Sequence, residues 1–152
     1  LDALRGRGLK VVGLTDAPRN AAELRLKHLR LAGHFDARYT LPGYPLPENV
    51  DPEIRKKEEA GHYKSRTPVV ELPHDAEKPN AAGLARILED FELGGKEVLY
   101  VGDNVKKDMP VAEACRTVGV WAEYGTYVSG EYRERLALLH AGEDQPRTSV
   151  PE

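Results

Sequence analysis

Residues 97–116 read EVLYVGDNVKKDMPVAEACR, and this stretch decides the fold. Glu97 to Val101 is a short apolar run rich in residues that favour strands. It passes directly into Gly102-Asp103, and a helix is expected from about Pro110 to Arg116. Val118 to Ala122 then supplies another strand. A strand, a polar turn, a helix and a second strand make one crossover unit, which predicts a parallel sheet.

The same alternation extends upstream. Leu9 to Leu14 (LKVVGL) is an apolar run ending at Thr15-Asp16, and it reads as a buried strand leading into a loop. Asn20 is a candidate cap for a helix carrying Ala22, Leu26 and Leu29 at helical spacing, with Gly33 as the stop. Ala37 to Leu41 reads as a second short strand. Pro42, Pro45, Pro47 and Pro52 then forbid regular structure. The charged stretch Glu53 to Arg66 reads as a solvated face, helical at most in its middle, and Pro68 to Leu72 returns to strand character. Pro79 suits a first helical turn, and Leu84, Ile87, Leu88 and Phe91 form a stripe that ends at Gly94-Gly95.

The expected fold class is therefore α/β, a Rossmann-like core with a parallel sheet flanked by helices. Ligands of such sheets gather at the carboxyl ends of the strands, where Thr15 and Asp103 fall. One domain is expected over residues 1–140, interrupted by a Pro-rich and charged insertion at about 42–67. Glu131 to His140 reads as an amphipathic helix, and 141–152 as a mobile polar tail. The opening residues, LDALRGRG, read as the end of a helix already under way, so a fragment of a longer polypeptide is expected.

Composition narrows the partners. The 152 residues carry 25 acidic and 22 basic side chains, a formal charge of −3, and this gives no electrostatic footprint for nucleic acid or an anionic membrane. A small soluble substrate is the better expectation. The single cysteine, Cys115, fits a reduced, cytoplasmic setting and is expected to fill space between helix and sheet. His62 and His74 lie in polar loops without ligand spacing, and Trp121, Tyr124 and Tyr127 are expected to pack beside the last strand.

Chemistry concentrates at the strand ends. Asp103 and Asp108 offer two carboxylates near one strand terminus, as a hard divalent cation such as Mg²⁺ requires. Asp103 is the expected direct ligand, while Asp108 holds a water or orients its neighbour. An Asx-type turn followed by a helix cap would account for either aspartate separately. Thr15 offers a hydroxyl, and Asp16 the next backbone N–H, for a phosphoryl oxygen. Lys78 offers an ammonium suited to neutralising a phosphate.

Three segments, VVGLTDA, EKPNAAGLARIL and VLYVGDNVKKDMPVAEACRTVGVWAEYGT, resemble in order and character the second, third and fourth motifs of the haloacid dehalogenase (HAD) superfamily. The resemblance runs over most of residues 1 to about 127. It implies a Mg²⁺-dependent phosphatase of a small phosphorylated metabolite, acting through an aspartyl-phosphate. Under it Thr15 matches the phosphate-binding hydroxyl, Lys78 the lysine that stabilises nucleophile and phosphate, and Asp103 with Asp108 the acidic pair of the metal site. Thr15 and Lys78 are then the catalytic residues of this chain.

The family's first motif, with its nucleophile and acid/base aspartates, has no match here. Asp16 is followed two positions later by Pro18, which can serve as neither acid nor base. The missing strand would lie upstream of Leu1, together with any cap inserted after it. The chain alone is then expected to be inactive. Either the preceding polypeptide stays bound, or the chain forms a homodimer, or the sheet rearranges. The alternative function is a non-catalytic Rossmann-like interaction module.

Overall fold

The computed structural model describes residues 1–61 and 65–127, which form a mixed α/β structure of short parallel strands and flanking helices. Strands β1 (Val12–Pro18), β2 (Ala37–Leu41) and β3 (Val69–Glu71) form one sheet in the order β1-β2-β3. Strands β4 (Leu99–Gly102) and β5 (Val118–Trp121) form a second. Every pairing is parallel. The helices are α1 (Asp2–Arg5), α2 (Arg19–His28), α3 (Pro52–Glu59), α4 (Ala82–Asp90) and α5 (Asp108–Ala114). The segments Glu131 to His140 and 141–152, and also His62, lie outside the described residues.

A single apolar cluster joins the two sheets. Tyr39 of β2, Leu72, Leu84 and Ile87 of α4, Tyr100 of β4, and Val111 and Ala112 of α5 are all buried in it. Val12 and Leu14 of β1 pack against its margin. Leu84 and Ile87, three residues apart on α4, lie on the stripe expected from the sequence. Gly83 lets α4 approach β1 closely, since a Cβ there would meet Leu14 Cδ1 at 2.9 Å. Among the described residues, no backbone hydrogen bond connects β1 to β4. The core is shared while the sheet is interrupted.

Several boundaries differ from the sequence expectation, for local reasons. β1 starts at Val12 rather than Leu9 and continues through Thr15-Asp16 to Pro18, so those two residues belong to the strand. Arg19, not Asn20, opens α2, and Asn20 instead donates to Tyr44 O at 3.2 Å. The helix ends before Arg30, whose φ of 57° breaks it ahead of Gly33. α3 takes Pro52 into its first turn, capped by Asp51, which accepts from Glu53 N at 2.7 Å. α4 begins at Ala82, past Pro79, where Asn80 Oδ1 accepts from Ala82 N at 2.9 Å. α5 begins two residues before Pro110 and so includes Asp108. The aromatic residues expected to pack beside the last strand do not: Trp121, at the end of β5, and Tyr124 and Tyr127 after it are all exposed. Cys115 is half-buried against the core, as expected. Among the described residues no helix is long and apolar enough to cross a membrane.

Candidate functional site

The carboxyl end of β1 departs from its ladder where the candidate residues sit. Leu14 pairs with Tyr39 and Pro18 with Leu41, so β1 spends four residues where β2 spends two. The resulting bulge lifts Thr15-Asp16-Ala17 out of regular pairing. Thr15 Oγ1 accepts from Ala17 N at 3.1 Å, which fixes the hydroxyl oxygen and leaves its O–H to donate to an anion. Asp16 has another role than a bare phosphate contact. Its Oδ1 accepts from Lys78 N at 3.1 Å, and its Oδ2 lies 3.5 Å from Lys107 Nζ. Its carboxylate is committed to two lysines, so any part it takes in holding an anion falls to its backbone N–H.

Lys78 connects the two sheets. From the segment ahead of α4 its Nζ donates to Asp108 Oδ1 at 2.8 Å, while its own N–H holds Asp16. The pair is enclosed, with the Lys78 side chain 15% and the Asp108 side chain 2% exposed. Tyr100 OH donates to the same Asp108 oxygen at 3.0 Å, and Asn104 N donates to Oδ2 at 2.9 Å. Burial pushes the Asp108 carboxyl up, but the bonds from Lys78, Asn104 and Tyr100 outweigh it and hold the group below its usual range. Burial, with the Asp108 charge second, drives the Tyr100 phenol well above its usual range, so it stays a donor.

The turn after β4 is built by Asn104 and Asp108 together. Asn104 Oδ1 accepts from Lys106 N at 3.0 Å and Lys107 N at 3.1 Å. Asp108 N in turn donates to Asn104 O at 2.6 Å. The Asx-type turn foreseen for an aspartate here is made by Asn104 instead, and Asp108 reaches back to Asn104 N rather than capping α5. Gly102 is required beneath it, because a Cβ at that position would overlap the Asp108 side chain.

Asp103 differs in every respect. It is exposed, its backbone O accepts from Trp121 Nε1 at 3.1 Å, and its side chain lies against Gly125 in the turn after β5. Among the described residues its carboxylate enters no ion pair. No cluster of three or more His, Cys, Asp or Glu able to hold a metal occurs among the described residues. Of the two expected metal ligands, Asp108 is already engaged by three donors, which leaves Asp103 as the one carboxylate of the pair that could bind a cation.

Sequence reasoning missed Tyr100, Asn104, Lys107 and Glu77. Lys107 Nζ lies 2.9 Å from Glu77 Oε1, and that bond first, then the neighbouring carboxylates, raises its pKa. Tyr100 was hidden because an aromatic residue in an apolar strand looks like core. Asn104 carried a signal, since an Asn directly after a strand-end Gly-Asp is a turn residue. A separate concavity of about 260 Å³, on the outer face of α2 between Arg19, Glu23, Leu24 and Leu46, shares no residue with this cluster.

No protein-family model, curated protein or solved structure matches the chain.

Proposed function

We propose that this chain carries the phosphate- and Mg²⁺-binding half of a HAD-like phosphohydrolase with a Rossmann-like core, and that its substrate is a small phosphorylated metabolite. The observation that supports this reading is that Lys78 is bonded to both Asp16, next to Thr15 at the end of β1, and Asp108, at the start of α5 beyond the end of β4. Those residues come from three stretches far apart in sequence. They are also the residues that the resemblance assigns to one site.

In this reading the Thr15 hydroxyl donates to a phosphoryl oxygen, and Lys78 supplies positive charge beside it. Asp108, itself held by Tyr100, holds the lysine so that its ammonium is oriented before any ligand arrives. Asp103 would hold Mg²⁺, which when bound neutralises phosphate charge. The attacking carboxylate is not assigned to this chain, because Asp16 is tied to Lys78 and Lys107 and Pro18 occupies the acid/base position. Among the described residues β1 and β4 each keep an unpaired edge, which supports a sheet completed by one further strand that would bring the nucleophile.

A rival reading keeps the fold as a non-catalytic interaction module, and the commitment of Asp16 favours it equally. Incubation of the chain with an aryl phosphate and Mg²⁺, with Asp103→Asn as control, tests the proposal. No turnover by the chain alone is expected. Turnover abolished by the control would contradict the assignment of the nucleophile to another segment and make Asp16 the residue to replace.

A further inference from the structure

Each segment that Lys78 ties together supplies a second charged residue beside the one already described. Asp16 follows Thr15, Glu77 precedes Lys78, and Lys107 precedes Asp108. These three neighbours form an outer triad, in which Lys107 Nζ lies 2.9 Å from Glu77 Oε1 and 3.5 Å from Asp16 Oδ2. The inner pair of Lys78 and Asp108 is enclosed, whereas the side chains of Lys107 and Glu77 are 40% and 55% exposed.

The two pairs differ in how readily a ligand can open them. Lys78 cannot release Asp108 without stranding a buried carboxylate. Glu77 can swing into water with little loss, because an exposed ion pair contributes little to stability. Asp16 is less free to leave, since its other oxygen accepts from Lys78 N at 3.1 Å. Lys107 is therefore the ammonium of the cluster that can change partners, and Glu77 is the partner it would give up. An anion that replaces Glu77 leaves the number of charges around Lys107 unchanged, so the exchange needs no further counter-charge.

We propose that Lys107 reads a second anionic group on the ligand, taken up in exchange for Glu77, and that the substrates are small phosphorylated molecules carrying a carboxylate or a further phosphate beside the phosphoryl group. This rests on the phosphate site proposed above, because the residues adjoining the two partners of Lys107 are Thr15 and Lys78, those assigned to the phosphoryl group. Glu77 then acts as a specificity filter. A phosphate monoester without a second charge has nothing to offer Lys107 and leaves its pair with Glu77 closed.

Methylphosphonate and phosphonoacetate differ by one carboxylate, and their binding to the full chain should be measured by titration calorimetry in saturating Mg²⁺. Phosphonoacetate is expected to bind roughly fivefold more tightly, as one exposed ion pair allows. Lys107→Met should remove the preference, and Glu77→Gln should widen it, because Lys107 then loses its competing carboxylate. Lys106→Met removes the same charge one position away and should keep the wild-type preference. Chelation of Mg²⁺ by the carboxylate is common to all four proteins, so the differences between them decide. Equal affinities in the wild-type chain, a preference kept by Lys107→Met, or one that Glu77→Gln fails to widen would overturn the inference, while methylphosphonate binding would still uphold the phosphate site. A wild-type chain that binds neither ligand would overturn both.

Discussion

Lys78 and Asp108 stand 2.8 Å apart from Nζ to Oδ1, and the same lysine holds Asp16 through its backbone N–H. One residue thereby ties the carboxyl end of β1 to the first turn of α5, across two sheets that share no ladder among the described residues. The bond links a structural task to the chemistry proposed for the site.

Replacing Lys78 with Met should cost stability out of proportion to the loss of one surface lysine. Asp108 would remain buried with its charge opposed only by Tyr100 and Asn104. Removing one partner of an enclosed pair costs about 3–5 kcal/mol, and the partial exposure of Lys78 places the expectation near 3. Urea denaturation should show this as a lower midpoint with an unchanged slope. A further Asp108→Leu change should restore part of the loss.

Tyr100→Phe should cost about 1.5–3 kcal/mol, the range for a hydrogen bond to a charged group. It should also weaken the hold on Asp108 in acid. Because the folded-state pKa of Asp108 lies below that of the unfolded chain, its contribution is fully present above about pH 4 and is lost as pH falls through the folded value. Losing the phenol raises that folded value. The acid unfolding midpoint of Tyr100→Phe should therefore move to higher pH, and an unmoved midpoint would remove Tyr100 from the network.

At the alkaline end Tyr39 is the group to watch. Burial, and then the hydrogen bond it donates to Asp90 Oδ2 at 2.7 Å, push its phenol from 10.0 up to about 12. A raised pKa stabilises below the unfolded value, so the wild-type chain should lose stability as pH rises from 10 to 12. Tyr39→Phe should start less stable at neutral pH and show a shallower decline over that window in a pH-dependent melting series.

Gly102→Ala should destabilise by about 1–3 kcal/mol, the cost of overpacking. Asp108 is pinned by three donors and cannot swing away from an added Cβ. Gly33→Ala is the contrast, since nothing lies within 4 Å of a Cβ there. Equal melting temperatures for the two variants would contradict the packing described around Asp108.

The parts of this account that were legible in sequence share a property: each depended on neighbours in the chain. Ala37 to Leu41 proved a strand with those bounds, and the stripe from Leu84 to Phe91 marked the buried side of α4. Tertiary partners were not legible. Nothing local to Asp16 announces a bond to a backbone N–H 62 residues away, and nothing in EVLYV separates Tyr100 from its apolar neighbours. Pro79 was read as part of a first helical turn because proline suits that position, but α4 opens three residues later, at Ala82. Trp121, Tyr124 and Tyr127 were expected to pack beside the last strand but are exposed, since an aromatic side chain is buried only where something lies opposite it.

The central claim is that Thr15, Lys78 and Asp103 form a site for phosphate and Mg²⁺, and joint ligand stabilisation tests it most directly. Tm should be measured with Mg²⁺ alone, orthophosphate alone and both together, on the full chain, Lys78→Ala and Asp103→Asn. The two ligands together should raise Tm by more than the sum of their separate effects, Asp103→Asn should abolish the Mg²⁺ dependence, and Lys78→Ala should abolish the response to phosphate. A wild-type Tm indifferent to both ligands would contradict the claim and leave the interaction module as the function of this chain.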